Sequence, residues 1–517
     1  MSQPRGSFSA GRSSEVERII AAAETWPGAL ALFLIFAGSV FGLVYYGLQV
    51  HKNVRSAAAS DSAIRERFGT GTVITDGRDI NTTAEDVDVV NPESYVDKKC
   101  EQPNYQSKNG RLFAVFKSGK EIQLDIKGVN WMGMQDKMGV PKGLWDNSRE
   151  GSTIYRVGQF LSGNGFNAVR LPLSIDSAFR NVDIVTTLIN TNSQRALTAT
   201  RYVKLLGQIV QGLGQFGLGV VLDFHVLSAI KPDDSGLWYG ESIQIDDIKT
   251  TITNMTAELC NSKHFNIIGV DLKDGIGKTA SWGDGTDTDW AAAATTLAEH
   301  LVKSCPKWVA FVQGVQGDSH FDTFEGGAKI KNKFWAGSDL SGVAKTPIKI
   351  SAANKLVYSP KYWSSAFLPQ PYFFDGGTPQ GEMLADYKES SDATLRKNVQ
   401  TSMKNMFGPA MESGAAVILS SFGGLMGTED KTKMKTSTRI LQAVIEQMLQ
   451  TQNGLAGGFW YTLNPETSWP YPAPNISDPV NSGLVDTTWR AANQNVLKNL
   501  KSMDTMASIQ TIPCVTA

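Results

Sequence analysis

The sequence predicts an α/β protein built on a (β/α)8 barrel, the TIM barrel, preceded by a single transmembrane helix and a flexible stalk. Three observations predict this arrangement. From about residue 100 onward, short apolar runs bounded by turn residues alternate with longer helical patterns. The runs are rich in β-branched residues and Leu with little alternation, which is typical of strands covered on both faces. An uncharged stretch at residues 25–50 comes before them, and a polar segment separates the two.

The uncharged stretch (TWPGALALFLIFAGSVFGLVYYGLQV) is long enough for a helix to cross the roughly 30 Å hydrocarbon core of a bilayer. A cleavable signal peptide would have a shorter apolar core nearer Met1, and a buried core helix is the other alternative. We therefore expect a single-pass anchor at 25–50. Residues 1–24 would form a cytoplasmic tail, and residues 51–99, rich in Ser, Ala, Thr and Asp, would form the stalk.

Basic residues flank both ends of this stretch, so their count does not fix its orientation. Three glycosylation sequons, at Asn81, Asn254 and Asn475, favour a type II protein whose barrel at 100–517 is extracellular.

Eight strands are predicted in the barrel, the number that closes a parallel (β/α)8 sheet. They are residues 122–131, 167–173, 217–225, 266–272, 308–315, 355–358, 415–422 and 457–463. Helical patterns such as 200–215 and 436–450 lie between them. A doubly wound open sheet is the alternative, but no glycine-rich phosphate loop follows the first strand, so nothing indicates a nucleotide site.

Composition excludes several classes of function. A net charge of -1 gives no basic field to hold nucleic acid. With only 5 His and 4 Cys, and no C-x-x-C pair, the sequence predicts no metal site and no cofactor.

The cysteines suit two disulfides in an exported chain. Cys260 and Cys305 each end a helical pattern just before a strand, so both should lie at the amino-terminal face of the barrel and could join neighbouring helices. Cys100 and Cys514 could join the two ends of the barrel domain. Unpaired buried thiols are the alternative.

The predicted strand ends resemble those of glycoside hydrolase family 5, the family of cellulases and other β-glucanases. The matching segments include IKGVNWMGM, GFNAVRLPLS, GLGVVLDFHVL, VILSSFGG and GGFWYTLNP, in order over about residues 100–505. The resemblance implies a barrel with its site at the carboxyl ends of the strands. It also implies cleavage of β-glycosidic bonds by two Glu residues about 5 Å apart, one a proton donor and one a nucleophile. The implied partner is β-glucan or another polysaccharide.

Neither glutamate is present. The family's Asn-Glu-Pro after the fourth strand reads Asp274-Gly275-Ile276, and its Glu-Phe-Gly-Gly after the seventh reads Ser421-Phe422-Gly423-Gly424. Strand alternation should point Asp274 away from the site unless a bulge intervenes. A serine hydroxyl lacks the charge that stabilises an oxocarbenium ion. We expect a catalytically degenerate, glycan-binding member. A hydrolase using displaced carboxylates and a structural cell-surface scaffold are the alternatives.

Other family positions are kept or exchanged. The resemblance places Arg170 and His225 where family members brace the catalytic pair. Lys361 stands where the family has His, Trp363 where it has Tyr, and Tyr461 where it has Trp. Asp274 remains a candidate binding residue. Tryptophans in predicted loops and strand ends would form a stacking surface for sugar rings, and they are Trp131, Trp238, Trp282, Trp363, Trp460 and Trp469. The loop that begins at Trp469 should overhang the cleft.

Overall fold

The computed structural model describes residues 34, 36–40, 42, 44–45 and 92–516, the last range with gaps at 148, 232, 318–319, 325–328, 333, 381–382, 452, 466–468 and 470–481. The chain divides into two units, residues 1–72 and 73–517. In the first unit the described residues are helical. No helix among the described residues is both long enough and apolar enough to cross a bilayer. The expected tail, most of the expected anchor and the stalk up to residue 91 lie outside the described residues.

The strands of the second unit are short and mostly buried. In chain order they are β1 (Asn104–Lys108), β2 (Arg111–Val115), β3 (Glu121–Leu124), β4 (Ile126–Asn130), β5 (Ala168–Ser174), β6 (Gly219–Val226), β7 (Ile267–Asp271), β8 (Val309–Val312), β9 (His320–Thr323), β10 (Lys329–Asn332), β11 (Leu356–Tyr358), β12 (Lys361–Trp363), β13 (Phe374–Gln380), β14 (Met383–Glu389), β15 (Ala416–Val417), β16 (Leu419–Gly423) and β17 (Gly457–Trp460).

The parallel strands form the barrel that the sequence predicts. β4 to β8 are neighbours in chain order, β11 pairs with β8 and β15, and β12 pairs with β16. β17 pairs with both β16 and β4, which closes the ring. β11 and β12 are two parts of the sixth barrel strand, separated at Ser359 and Pro360, since proline cannot donate to the ladder. β15 and β16 are likewise two parts of the seventh. The carboxyl ends of all eight strands therefore meet at one face.

The first predicted strand, 122–131, is two strands. β3 belongs to an antiparallel meander with β1 and β2, and β4 begins the barrel. The buried carboxylate of Asp125 separates them, because it accepts from the backbone of Ser508 and pairs with Arg111. The meander packs against the amino ends of the barrel strands, where the amide of Tyr105 donates to the oxygen of Lys307 just before β8. The carboxyl-end face is therefore the one left for a site.

Two hairpins that the sequence did not indicate follow the fifth and sixth strands. β9 pairs with β10 and β13 pairs with β14, each antiparallel.

Helices cover the outside of the sheet, which explains why the strands are apolar on both faces. They are α1 (Ile154–Gly163), α2 (Ile175–Arg180), α3 (Tyr202–Gly214), α4 (Ile245–Leu259), α5 (Trp290–Ser304), α6 (Asp392–Glu412), α7 (Thr436–Met448) and α8 (Gln494–Leu500). α3 and α7 correspond to the helices predicted at 200–215 and 436–450. Each buries one apolar face, as α3 does with Leu205, Leu206 and Ile209.

Both predicted disulfides are present. Cys260, after α4, is bonded to Cys305, after α5, and Cys100 is bonded to Cys514. The segment before Cys100 lies along the barrel, because Glu93 pairs with Arg195 at 2.7 Å and Lys98 donates to the oxygen of Gln215. The end of the expected stalk is therefore part of the folded body.

Candidate functional site

A buried arginine organises the carboxyl ends of the strands. Arg170 lies on β5 and is 1% exposed. Its Nη2 lies 2.9 Å from Asp223 Oδ1 on β6, 2.8 Å from Asp271 Oδ2 on β7 and 2.7 Å from Asp274 Oδ1 after β7. Its Nη1 donates to Asn130 Oδ1 on β4 at 3.0 Å. One guanidinium therefore links four consecutive barrel strands, β4 to β7.

Asp274 points into this network, so the expectation that strand alternation turns it away was wrong. The amide of Leu272 donates to β8, whereas that of Asp274 donates to Phe224 on β6, the strand on the other side. In a regular parallel strand, the amides of residues two apart donate to the same neighbouring strand. The amides of Leu272 and Asp274 donate to different strands, so the alternation of side-chain direction ends after Leu272. The left-handed backbone of Gly275, with φ of 67°, then turns the chain.

Lys361 and His225 close the network on its solvent side. Lys361 Nζ donates to Asp274 Oδ2 at 2.6 Å, and Nδ1 of His225 lies 2.8 Å from Asp223 Oδ2 and 3.5 Å from Asp274 Oδ2. Their side chains are 12% and 21% exposed, against 7% for Asp274. A ligand at the mouth would therefore meet the lysine and the histidine before any carboxylate of this network.

Ser421 and Gly275 stand where the resemblance expects the two glutamates. The Cα positions of Lys361 on β12 and Ser421 on β16 are partners in register. The lysine extends from there to within 3.9 Å of the point where a Cβ on Gly275 would lie. Ser421 Oγ accepts from Asn130 Nδ2 at 3.3 Å. The lysine therefore starts beside Ser421 in the sheet, and its ammonium ends near Gly275.

The buried charges shift the pKa values of the aspartates in opposite directions. Burial alone would raise the pKa of Asp274, but Lys361, His225 and Arg170 outweigh it and hold that pKa well below its usual range. Asp271 is fully buried, and burial raises its pKa to about 7 despite Arg170, with Asp223 and Asp274 adding repulsion. Asp274 is thus ionised at neutral pH and is a poor proton donor.

Sequence reasoning missed Gln313, which is central to the site. It lies just after β8, and its amide nitrogen donates to Asp274 Oδ1 at 2.8 Å and Ser420 Oγ at 3.1 Å, while its oxygen accepts from the amide of Gly275 at 2.9 Å. Asn130 was missed as well. The available signal was the same for both, namely an amide side chain at the end of an otherwise apolar strand.

The aromatic surface is smaller than the sequence suggested. Trp131 and Trp460 are 0% exposed and donate to backbone oxygens, and Trp238, 4% exposed, packs on Trp290. These three tryptophans, which were expected in the sugar-stacking surface, therefore lie in the interior, where their rings contact backbone oxygens or another aromatic ring. Trp282 is half-buried after β7 and donates to the oxygen of Thr346.

Four rings do meet at the ends of the sixth to eighth strands. Trp363 stacks on Phe367 with centroids 5.4 Å apart, and both contact Trp469. Tyr461 contacts Trp363 at 5.4 Å and Trp469 at 6.1 Å. Phe367 is 38% exposed. We call these residues the aromatic cluster.

Asp223, His225 and Asp274 each offer an oxygen or nitrogen within 4.8 Å of the others, a spacing that a metal ion could bridge. Positive charge is already supplied to these carboxylates by Arg170 and Lys361. The donor atoms are therefore engaged in ion pairs.

Comparison with known proteins agrees with the geometry. Residues 118–465 match the family model described as cellulase, glycosyl hydrolase family 5. The chain belongs to glycoside hydrolase family 5. It is 27% identical over 305 residues to an endoglucanase of Paenibacillus polymyxa, covering 57% of this chain and 69% of that protein. It is 26% identical over 407 residues to the major extracellular endoglucanase of Xanthomonas campestris pv. campestris, covering 77% and 71%.

Solved structures show the same family 5 fold. The endocellulase from the archaeon Pyrococcus horikoshii superposes with a TM-score of 0.62 at 23% identity, over 78% of this chain and 99% of that one. The catalytic domain of the Xanthomonas campestris endoglucanase gives a TM-score of 0.59 at 23% identity, over 77% and 99%. The barrel expected from the strand ends is thereby confirmed.

Proposed function

We propose that this family 5 chain binds β-glucan at the carboxyl ends of its barrel strands without hydrolysing it. The observation that carries the proposal is the position of Lys361, whose Cα is the register partner of Ser421 and whose ammonium lies 3.9 Å from the Cβ position of Gly275 and is paired with Asp274. Retaining cleavage needs a proton donor on one side of the bond and an anionic nucleophile on the other. A serine hydroxyl, a glycine and a lysine ammonium at these positions supply neither.

Among the described residues, the carboxylates of this network do not replace the lost pair. Asp274 is held ionised by Lys361, His225 and Arg170, so it cannot protonate a leaving oxygen at neutral pH. Asp223 and Asp271 are 0% exposed and face Arg170. Hydrolysis by displaced carboxylates remains the alternative to test.

Sugar binding is supported by the aromatic cluster and by the relatives. Within the aromatic cluster Phe367 is 38% exposed and Tyr461 is half-buried, whereas Trp363 and Trp469 are only 6% and 8% exposed. Phe367 and Tyr461 offer an apolar surface of the kind that packs on pyranose rings. The relatives named above are endoglucanases, and the Pyrococcus horikoshii endocellulase has been crystallised with cellotetraose.

Calorimetry and a reducing-sugar assay on the full chain test the proposal together. We expect saturable binding of cellotetraose and no release of reducing ends, with the Paenibacillus polymyxa endoglucanase as the active control. Release of reducing ends that Asp274→Asn abolishes would establish the displaced-carboxylate alternative. Failure to bind any β-glucan would refute glycan binding.

A structural scaffold is the second candidate, and Trp469 favours it. A Cβ on Gly423 at the end of β16 would lie 3.2 Å from the ring of Trp469, so this indole covers the end of the seventh strand. Trp469→Ala distinguishes the two functions. The substitution should weaken cellotetraose binding if the ring is part of the sugar surface, and it should create or strengthen binding if the ring blocks the cleft.

We further propose that residues 25–50 anchor the protein in a membrane, with the barrel outside the cell. The absence of charge in that stretch supports the anchor, and the two disulfides suit an oxidising compartment. Of the three sequons, Asn254 is exposed on α4, whereas Asn81 and Asn475 lie outside the described residues. Protease protection of intact cells, with an enzyme that removes N-linked glycans as a second measurement, tests the orientation.

A further inference from the structure

Over the described part of the chain, the space on the side of Gly275 where a Cβ would lie is open and faces the ammonium group of Lys361. Among the described residues, a Cβ built on Gly275 would have one atom within 4 Å, Nζ of Lys361 at 3.9 Å. In the family pattern this position carries a glutamate side chain, which ends in a carboxylate. The chain therefore retains the room for a carboxylate but not the carboxylate itself.

Lys361 has capacity for a second acceptor. An ammonium group has three donors, and within the described part of the chain Nζ makes one hydrogen bond, to Asp274 Oδ2. The side chain is 12% exposed, so it is accessible from the mouth while it is held in place at its other end by the pairing of β12 with β16. Its neighbour in register is the neutral Ser421, so no carboxylate at position 421 competes for it.

The surrounding charges permit an incoming anion. Lys273 Nζ donates to the backbone oxygens of His225 and Asp274, so Arg170, Lys273 and Lys361 balance the three aspartates in formal charge. Burial raises the pKa of Asp271 to about 7 and lowers that of Lys273, so the two shifts oppose each other. The imidazole of His225, 21% exposed, lies on the same side as Lys361. Asp274 shares the lysine and limits the attraction, so the expected gain is moderate.

Resting on the proposed glycan-binding function, we propose that this site prefers a carboxylated glycan, a β-glucan bearing uronic acid residues, and holds one carboxylate above Gly275 against Lys361. A charge-assisted hydrogen bond between ammonium and carboxylate would supply the preference, and the aromatic cluster would hold the neighbouring sugar ring.

The test compares two oligosaccharides of equal length on the full chain, cellotetraose and its counterpart oxidised to carboxylate at C6. We expect the carboxylated oligomer to bind about tenfold more tightly, the effect of one charge-assisted hydrogen bond partly shared with Asp274. Lys361→Gln should reduce that ratio to about one. Lys303→Gln, an exposed lysine on α5 that changes the net charge equally, should leave the ratio unchanged. Gly275→Asn provides a second variant, since asparagine tolerates the left-handed backbone and its side chain would fill the space.

The outcomes separate this inference from the proposed function. Equal binding of the two oligomers by the unmodified protein would overturn the carboxylate preference and leave β-glucan binding intact. Binding of neither would overturn both. A preference that survives both Lys361→Gln and Gly275→Asn would place the carboxylate elsewhere and refute the site. Free acetate is the third ligand, and acetate binding without oligomer binding would assign the space to a small carboxylate rather than a glycan. Melting curves of each variant report whether it is folded.

Discussion

Asp274→Asn should destabilise the barrel without changing a catalytic rate. The substitution keeps one acceptor oxygen but removes the charge that pairs with Arg170 and Lys361 at 2.7 and 2.6 Å. Removing one partner of a buried ion pair costs roughly 3–5 kcal/mol. Lys361 is partly exposed and Arg170 keeps two other aspartates, so we expect a loss of about 3 kcal/mol in the free energy of unfolding. For a domain of about 400 residues this corresponds to a decrease of roughly 4 °C in Tm.

The assay is thermal unfolding of both proteins over a range of pH. Since the pKa of Asp274 is held well below its usual range, its stabilising contribution is complete above about pH 4 and declines as the pH falls toward its folded-state pKa. The Tm difference should therefore shrink in acid.

The control is Asp183→Asn, which breaks the exposed pair with Arg201 and should change the free energy of unfolding by less than about 1 kcal/mol. A Tm for Asp274→Asn equal to that of this control would show that the ion pairs of Asp274 do not stabilise the site. Loss of a measurable hydrolytic rate on the same substitution would show that Asp274 is catalytic.

Three further predictions concern stability. Replacing both Cys260 and Cys305 by Ser should lower the free energy of unfolding by about 4 kcal/mol, the value that the loop-entropy model gives for a separation of 45 residues. The comparison is with the unmodified protein without reductant, and an unchanged Tm would contradict the prediction. The Tm of Asp271→Asn, relative to that of the unmodified protein, should increase from about pH 4 to pH 7, since an acid whose folded-state pKa is raised destabilises the fold as it ionises. A difference that does not change with pH would refute the raised pKa. Gly275→Ala should lower the free energy of unfolding by only about 1 kcal/mol, because alanine is strained in the left-handed backbone of that position. Gly269→Ala would bring a Cβ to 2.0 Å from a backbone oxygen of the next strand and should prevent correct folding. Equal melting temperatures for the two variants would contradict this difference.

The barrel could be predicted because its strands carry a strong local signal. The ends of β5 to β8 agree with those of the predicted runs to within three residues, since strands buried on both faces are continuously apolar. The division between β3 and β4 could not be predicted, because it depends on Asp125 contacting Ser508, a residue 383 positions away in the chain.

The site was predictable in composition but not in orientation. Sequence order placed Arg170, His225 and Lys361 at strand ends, and the structure brings all three around Asp274. The direction of the Asp274 side chain depends on which neighbouring strand accepts the backbone hydrogen bonds after Leu272. The spacing of apolar residues in the sequence carries no information on those hydrogen bonds. The burial of Trp131 and Trp460 was hidden for a similar reason, because a position at a strand end does not tell whether an indole faces the site or the core.

The disulfide between Cys100 and Cys514 brings two distant points of the chain to a Cα separation of 4.9 Å. A barrel whose first and last segments are neighbours is close to a covalent circle, and circular permutation generally succeeds when the ends of a domain lie together and the new break falls in an exposed loop. Joining the two ends of residues 100–514 with a short peptide and opening the chain between β13 and β14, which follow the carboxyl end of the sixth barrel strand, would thus move both termini of that segment to the ligand-facing side of the barrel. Immobilised through such termini, residues 100–514 would present their cleft toward the support, whereas attachment at Cys100 or Cys514 would leave the cleft facing solution.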